Sequence, residues 1–161
     1  MGVINVTAGS QAILTLGNTA PLAVPGATNS VSVPFLQDLT ISATPGTVRY
    51  STLDSSSSSA FTTVNENSVS MNMLVDHDLM FGNASLTDNS IALNGLFDTS
   101  KAKTEIFFSV SFEGTGATGD TYWSGKGFIG GLAPNASIDQ AVWITPMEII
   151  VNGELTKANE S

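Results

Sequence analysis

The sequence predicts an all-β protein, a β-sandwich or partly closed barrel of about seven to nine strands with at most one or two short helices. Apolar and polar residues alternate over residues 104–113, as side chains do when a half-buried strand sends them to opposite faces. Similar short stretches recur along the chain, separated by clusters of glycine, proline, serine and asparagine. No amphipathic pattern of about 11 residues or more is visible, so helix is predicted to be minor.

The first half of the chain is predicted to hold several short strands, over residues 12–16, 31–41, 48–50 and 69–75. Proline donates no hydrogen bond to a neighbouring strand, so Pro34 places the second of these at a sheet edge or at a bulge. Residues 19–30 are predicted to form a loop, and Pro45-Gly46 a turn. Residues 53–63 contain five consecutive serines, a composition typical of a flexible loop.

The second half is predicted to contain the strongest strands, over residues 104–113, 122–132 and 141–151. Residues 91–97 predict one further strand with a bend at Asn94-Gly95. Residues 98–103 are expected to form one or two helical turns capped by Asp98, and residues 77–81 another helical turn. In a regular strand the apolar residues Val142 and Ile149 would point to opposite faces of the sheet. A β-bulge at Pro146 would let both point to the same face.

Glycine is unusually frequent in the predicted strand 122–132. The stretch lacks the Gly-x-x-x-x-Gly-Lys-Ser/Thr spacing of a phosphate-binding loop. We therefore expect its glycines to let the strand bend or another backbone approach closely.

Composition predicts one domain, residues 1–161, with an N-terminal arm at residues 1–7. Charged residues make up 12% of the chain, about half the share of roughly 25% that is usual in soluble domains. Either small polar residues cover the surface, or much of it packs against other subunits. The 14 acidic residues outnumber the 5 basic ones, and the basic residues are scattered. This balance argues against nucleic-acid binding, which requires Lys and Arg to neutralise phosphates.

No residue pattern predicts catalysis, a cofactor or a metal site, and the chain is not expected to be an enzyme. There is no cysteine, which excludes thiol nucleophiles and cysteine zinc sites. Asp76-His77-Asp78 contains the single histidine and is interpreted as an exposed loop. No Gly-x-Ser-x-Gly elbow occurs, and no pair stands out among the carboxylates as in a glycosidase. Neither a secretory signal nor a run of about 18 apolar residues is present, so synthesis in a cytoplasm without membrane insertion is expected.

The aromatic residues Tyr122, Trp123 and Trp143 leave two interpretations open. They could form a platform on which sugar rings stack, or they could pack in the core.

Three features of residues 104–155 are those of a known family. They are the alternating strand 105–112, the segment Tyr122-Trp-Ser-Gly-Lys-Gly-Phe-Ile-Gly-Gly-Leu, and a final strand that ends in Asn152-Gly-Glu-Leu. With them the last third of the chain resembles the major tail proteins, or tail tube proteins, of long-tailed bacteriophages. Pro146, inside the closing strand, departs from the family pattern. The family's flanking helix has no clear counterpart either.

The resemblance implies β-sandwich subunits that assemble into hexameric rings, stacked as a hollow tube for viral DNA. It implies a location in the virion tail after assembly in the host cytoplasm. The implied partners are further copies of the chain and the tail-tip initiator, tape-measure and terminator proteins. With a net charge of −9 per copy, six copies carry −54 (six times −9), a field that repels passing DNA rather than binding it. The alternatives are a capsid decoration or baseplate protein, and a carbohydrate-binding β-sandwich module.

Two segments are the predicted contacts between rings, because flexible segments that order on assembly can delay polymerisation until a partner initiates it. The candidate residues are Gly2, Val3, Ile4 and Asn5 in the arm, and Leu53, Asp54, Ser55, Ser56, Ser57, Ser58, Ser59 and Phe61 in the serine-rich loop.

Overall fold

The fold is an antiparallel sheet of eight strands with two short helices, seen in a computed structural model that describes residues 12–18, 30–51, 57–83, 90–112, 121–139 and 142–159. The predicted fold class is thus confirmed. In chain order the elements are β1 (Ile13–Gly17), β2 (Ser30–Ser32), β3 (Leu36–Tyr50), β4 (Ser59–Leu74), α1 (His77–Phe81), α2 (Ser90–Lys101), β5 (Glu105–Ser111), β6 (Thr121–Gly130), β7 (Ile144–Val151) and β8 (Thr156–Asn159).

The strands follow the order β2-β1-β5-β6-β7-β4-β3, and β8 pairs with β6. β7 and β8 lie end to end along β6, with Gly127 opposite Val151 and Ser124 opposite Thr156. The described sheet is open, and β2 and β3 are its two edge strands. The predicted strand 31–41 is therefore two strands at opposite edges, and the break at Pro34 agrees with the exclusion of proline from central ladders.

The core lies on one face of the sheet, where alternate residues of the central strands are fully buried, including Phe108, Met71 and Ile149. Leu79 and Met80 of α1 and buried residues of α2 complete this cluster. The predicted helical turn at residues 77–81 is confirmed, because the Asp76 side chain accepts a hydrogen bond from the Leu79 N–H at 2.9 Å and so caps α1. None of the described helices has the length and apolar character needed to cross a membrane.

Helix α2 corrects the strand predicted at residues 91–97. Ile91, Ala92, Leu96 and Thr99 are buried, which is the spacing of a helical face rather than of a strand. Gly95 interrupts the helix with a φ of +81°, a conformation that glycine adopts readily. Asn94-Gly95 thus marks a break between two helical segments of α2. The helical turns predicted from residue 98 are confirmed as far as Lys101, but Asp98 lies inside the second segment and does not cap it.

The turn predicted at Pro45-Gly46 is also wrong. These residues lie within β3, where the pairing with β4 shifts register between Pro45 and Thr47. β4 begins at Ser59, so the last five residues of the predicted loop 53–63 are strand. No bulge occurs at Pro146 either, because β4 and β7 pair in continuous register from Ser68 to Leu74.

The expected role of the β6 glycines is confirmed at Gly127. A Cβ atom at Gly127 would collide with the backbone carbonyl oxygen of Ile150 in β7. At Gly130, three residues on in the same strand, the nearest atom to such a Cβ would be 3.6 Å away, an ordinary contact. Only the first of these two glycines is thus required by the close approach of β6 and β7.

We predict that Gly127→Ala lowers the free energy of unfolding by about 1–3 kcal/mol or more, the cost of overpacking a close contact. Gly130→Ala is the matched control in the same strand and should change it by less than about 1 kcal/mol. Denaturant unfolding followed by tryptophan fluorescence measures both. Equal effects of the two substitutions would show that the β6–β7 approach is not the constraint.

Candidate assembly surfaces

The far half of the β3–β4 hairpin extends beyond the rest of the sheet. β4 pairs with β7 only over Ser68 to Leu74, whereas its pairing with β3 continues to Tyr50 and Ser59. Residues 43–50 and 59–67, which we call the hairpin arm, therefore form a two-stranded ribbon. Nearly all of its side chains are exposed.

The hairpin arm carries an apolar patch near its tip. Val48 lies opposite Phe61 and Tyr50 opposite Ser59, so the three apolar side chains share one face of the ribbon. The Tyr50 and Phe61 rings have centroids 6.1 Å apart, and each residue is 53% exposed. Exposed aromatic pairs of this kind are enriched at protein interfaces.

A second apolar surface lies at the other end of the same strands. We call it the end groove, a cleft of about 500 Å³. It is lined by Phe35, Leu74, Val75, Asp76, His77, Phe81, Val142 and Trp143.

Exposed aromatic side chains form much of the end groove. Phe35 is 64% exposed and Trp143 49% exposed. Phe35 also has a φ of +57°, which is strained for a bulky residue. The Phe35 carbonyl accepts a hydrogen bond from the Leu74 N–H at 3.2 Å, and this bond helps to hold the conformation. Strain of this kind is concentrated at binding and switch sites.

The face of the sheet opposite the core is polar along β3, β4 and β7. We call it the open polar face; its residues are Asp38, Thr40, Ser68, Ser70, Asn72, Pro146, Glu148 and Ile150. Asp38 accepts hydrogen bonds from the backbone and side-chain nitrogens of Asn72 at 2.8 and 2.7 Å. The charged residues of this face are both acidic.

Towards β5 the same side of the sheet carries an ion pair at Glu105. Its carboxylate accepts a hydrogen bond from Asn152 Nδ2 at 2.6 Å and lies 3.4 Å from Lys126 Nζ. The Asn152 hydrogen bond, followed by Lys126, lowers the pKa of Glu105 below its ordinary value, although partial desolvation opposes the shift. The network joins β5, β6 and the turn after β7.

The predicted contact residues are only partly within the described structure. Ser59 and Phe61 lie in β4 at the arm tip, and Ser57 and Ser58 are exposed just before it. Gly2, Val3, Ile4, Asn5, Leu53, Asp54, Ser55 and Ser56 lie outside the described residues.

Sequence reasoning missed the end groove and most of the hairpin arm. The groove residues come from the ends of separate elements, and only the topology brings Phe35, Phe81 and Trp143 together. For the arm, a signal was available. Tyr50 and Phe61 lie on either side of the serine run, five residues before it and two after it, as residues of paired strands do around a hairpin turn.

The described residues contain no group of three or more His, Asp or Glu side chains that could hold a metal ion. The proposed sugar platform is not formed either. Tyr122 and Trp123 are neighbours in a strand and point to opposite faces. Trp123 packs edge-on against Phe112 with ring centroids 5.4 Å apart, whereas Trp143 belongs to the end groove.

No protein-family model and no curated protein matches this sequence. Solved structures do match the fold. The tail of an empty gene transfer agent particle, refined with six-fold symmetry, has a TM-score of 0.60 at 13% identity and covers 95% of this chain and 99% of its own. The SPP1 tail tube has a TM-score of 0.65 at 12% identity, over 96% of this chain and 80% of its own. The chain has the fold of tail tube proteins.

A related assembly shares that fold. The tube-terminating cap of the anti-feeding prophage has a TM-score of 0.59 at 14% identity and covers 99% of this chain and 95% of its own. At 12–14% identity, the similarity to these structures shows a shared fold.

We predict that Asn152→Ala raises the pKa of Glu105 towards its ordinary value, because the largest cause of its lowering is removed. A lowered folded-state pKa contributes stability above the ordinary pKa that is lost as the pH falls through the folded value. Asn152→Ala should therefore weaken the acid dependence of stability. Carboxyl NMR titration of Glu105 measures the shift, and Lys126→Ala is a second variant that should raise the pKa in the same direction. An unchanged titration would contradict the assignment.

Proposed function

We propose that this chain is a tail tube subunit, which assembles into hexameric rings that stack into a hollow tube for the passage of viral DNA. The observation that carries the proposal is the tail tube fold with three features: an apolar hairpin arm, an apolar end groove and the two edge strands of the described sheet. In a monomer these features are liabilities, since free edges and apolar patches promote association. In a tube, neighbouring copies cover them.

The open polar face is the surface proposed to line the channel. Apart from Pro146 and Ile150, its uncharged side chains are small hydroxyls and amides, and Asp38 and Glu148 repel phosphate. The net charge of −9 per copy acts in the same direction. DNA therefore passes through without specific binding.

The low content of charged residues fits this assembly. Main-chain hydrogen bonds between edge strands, rather than ion pairs, join neighbouring subunits. The resemblance adds a tail-tip initiator, a tape-measure protein and a terminator as partners, a virion tail as the location, and assembly in the host cytoplasm. The role is structural rather than enzymatic.

The direct test is negative-stain electron microscopy of the purified protein over a rising concentration series. We expect rings and hollow tubes with six-fold symmetry. A monomer that stays monodisperse at every concentration would contradict the proposal. Closed rings that never stack would instead support a capsid decoration or baseplate protein.

We further predict that Tyr50→Ser combined with Phe61→Ser leaves a folded subunit that assembles poorly. Both side chains are half-exposed, so the fold should lose little stability. The critical concentration should rise at least about tenfold, which corresponds to about 1.4 kcal/mol of lost contact. Sedimentation of tubes measures it. Ile138→Ser, at a fully exposed position outside the arm, is the control and should assemble normally.

A further inference from the structure

We propose that Lys126 and Asn152 of one subunit become joined through their side chains by an amide bond, an isopeptide, with Glu105 as the catalytic residue. The reaction is a self-modification of the folded chain and needs no cofactor. It begins from the hydrogen bond and the ion pair already described at Glu105. These contacts bring together an amine, a primary amide and a carboxylate, which are a nucleophile, its target and a base.

The strand register places the lysine and the asparagine side by side. Gly127 of β6 lies opposite Val151 of β7, and the Asn152 N–H donates a hydrogen bond to the Lys126 carbonyl oxygen at 2.7 Å. Lys126 and Asn152 are therefore the next facing pair of the same antiparallel ladder. Side chains of such a pair share one face of the sheet, with Cβ atoms about 4.5–5.5 Å apart. The long lysine side chain can thus bring its amine to Asn152 Cγ.

Glu105 reaches this pair from the other side of β6. Lys126 lies opposite Phe107 of β5, and Glu105 is two residues from Phe107, so its side chain is on the same face. In the strand order β5-β6-β7, Lys126 lies on the middle strand, with Glu105 on one side and Asn152, which directly follows β7, on the other. The hydrogen bond between Glu105 and Asn152 therefore spans β6 and holds the amide near the amine.

One carboxylate contacts both reacting groups. Glu105 Oε2 accepts a hydrogen bond from Asn152 Nδ2 at 2.6 Å, and Glu105 Oε1 lies 3.4 Å from Lys126 Nζ. The second distance is slightly longer than a proton-transfer contact of about 2.6–3.2 Å, and a small rotation of the flexible lysine side chain closes it. Such positioning removes much of the barrier, because the two reactants no longer have to meet by diffusion.

The bond change balances without an oxidant or a reductant. The neutral amine of Lys126 attacks Asn152 Cγ and forms the new C–N bond, and Glu105 accepts the proton that the attacking nitrogen loses. The Cγ–Nδ2 bond then breaks, and Glu105 passes this proton to the departing nitrogen. The products are a secondary amide between the two side chains and one molecule of ammonia, so the chain becomes lighter by about 17 Da.

The charge state of Glu105 suits the first of these steps. The hydrogen bond from Asn152, aided by Lys126, keeps the pKa of Glu105 below its ordinary value, so the carboxylate is ionised at neutral pH and can accept a proton. Lysine attacks only as the neutral amine, which is a minor form of this side chain in water at neutral pH. The reaction is therefore slow compared with folding, and the non-covalent network is the state that precedes it.

The new bond closes a covalent loop over residues 126–152 and ties β6 to the end of β7. A link of this kind removes conformations from the unfolded chain, as a disulfide does. For a loop of this length it raises the Tm by about 5–15 °C. The chain has no cysteine, and by this route it gains a covalent link that a reducing compartment does not break.

Gly153 is the competing nucleophile, because it directly follows Asn152. Its backbone nitrogen can attack the same Cγ atom, which gives a succinimide and, after hydrolysis, aspartate or isoaspartate. The hydrogen bond to Glu105 turns the Asn152 side chain across β6 instead of along its own chain. Orientation therefore favours the Lys126 amine.

Mass spectrometry of the folded protein tests the proposal. Purified wild-type protein is held at mildly alkaline pH for several days, and its intact mass and tryptic peptides are compared with those of a fresh sample. We expect a loss of about 17 Da and a branched peptide in which Lys126 is bonded to Asn152. The same chain held in urea should form none, because the three side chains are then no longer together.

Three variants separate the roles of the groups. Lys126→Arg keeps the positive charge but has no reactive amine, and it should not form the branched peptide. Glu105→Gln keeps the shape of the side chain but cannot relay a proton, and it should slow the formation at least about a hundredfold. Lys157→Arg, in β8, is the matched control and should react like the wild type. Circular dichroism checks that each variant is folded.

Three results would overturn the proposal. The first is a folded wild-type chain whose mass is unchanged after the incubation. The second is a loss of ammonia that persists in Lys126→Arg or ends in deamidated Asn152, because Gly153 is then the nucleophile. The third is a branched peptide that forms equally fast in Glu105→Gln, which would remove Glu105 from the reaction.

Discussion

The pairing of β3 with β4 is the interaction on which the rest of the account depends. Over Ser68 to Leu74 it is part of a wide sheet, with β7 on the other side of β4. Beyond that stretch no other described strand pairs with it, and it continues as a two-stranded ribbon to Tyr50 and Ser59. A lone two-stranded ribbon is at best marginally stable in water. The fold thus presents a segment whose full stability requires a neighbour.

The same pairing determines which surfaces are free. Within the described sheet β3 pairs with β4 on one side and forms the sheet edge on the other, and an edge strand can pair with another chain. Because both strands run past β7, the end groove and the arm tip lie at opposite ends of the subunit. The helices lie on the core face, so the residues of the open polar face stay largely exposed. Under the proposed function, one hairpin contributes both to the interfaces and to the channel wall.

Sequence patterns predicted the strands that have the same neighbouring strands along most of their length. β5 alternates regularly because its partners β1 and β6 flank it along most of its length. The pattern failed where tertiary contacts override local signals. Pro45-Gly46 is a typical turn dipeptide, yet the β3–β4 ladder absorbs it as a register shift. Residues 91–97 were short and apolar, and Gly95 obscured their helical period, so periodicity alone did not separate helix from strand.

The surfaces were less predictable than the fold. The serine run was predicted as a flexible loop, and its last residue, Ser59, begins β4. The end groove gave no sequence signal, since its residues are far apart in the chain and Phe35 owes its exposure to an unusual backbone angle. The excess of acidic over basic residues in the composition did predict the negative charge of the open polar face.

Hydrogen exchange of the backbone amides tests the central claim most directly, because it reports on the hairpin arm in free and assembled protein alike. The account predicts rapid exchange over residues 43–50 and 59–67 in the monomer, and protection of these amides in the tube. Amides of β5 and β6 should be protected in both states. An arm that is already fully protected in the monomer, or that remains unprotected in the tube, would contradict the claim that neighbouring subunits complete it.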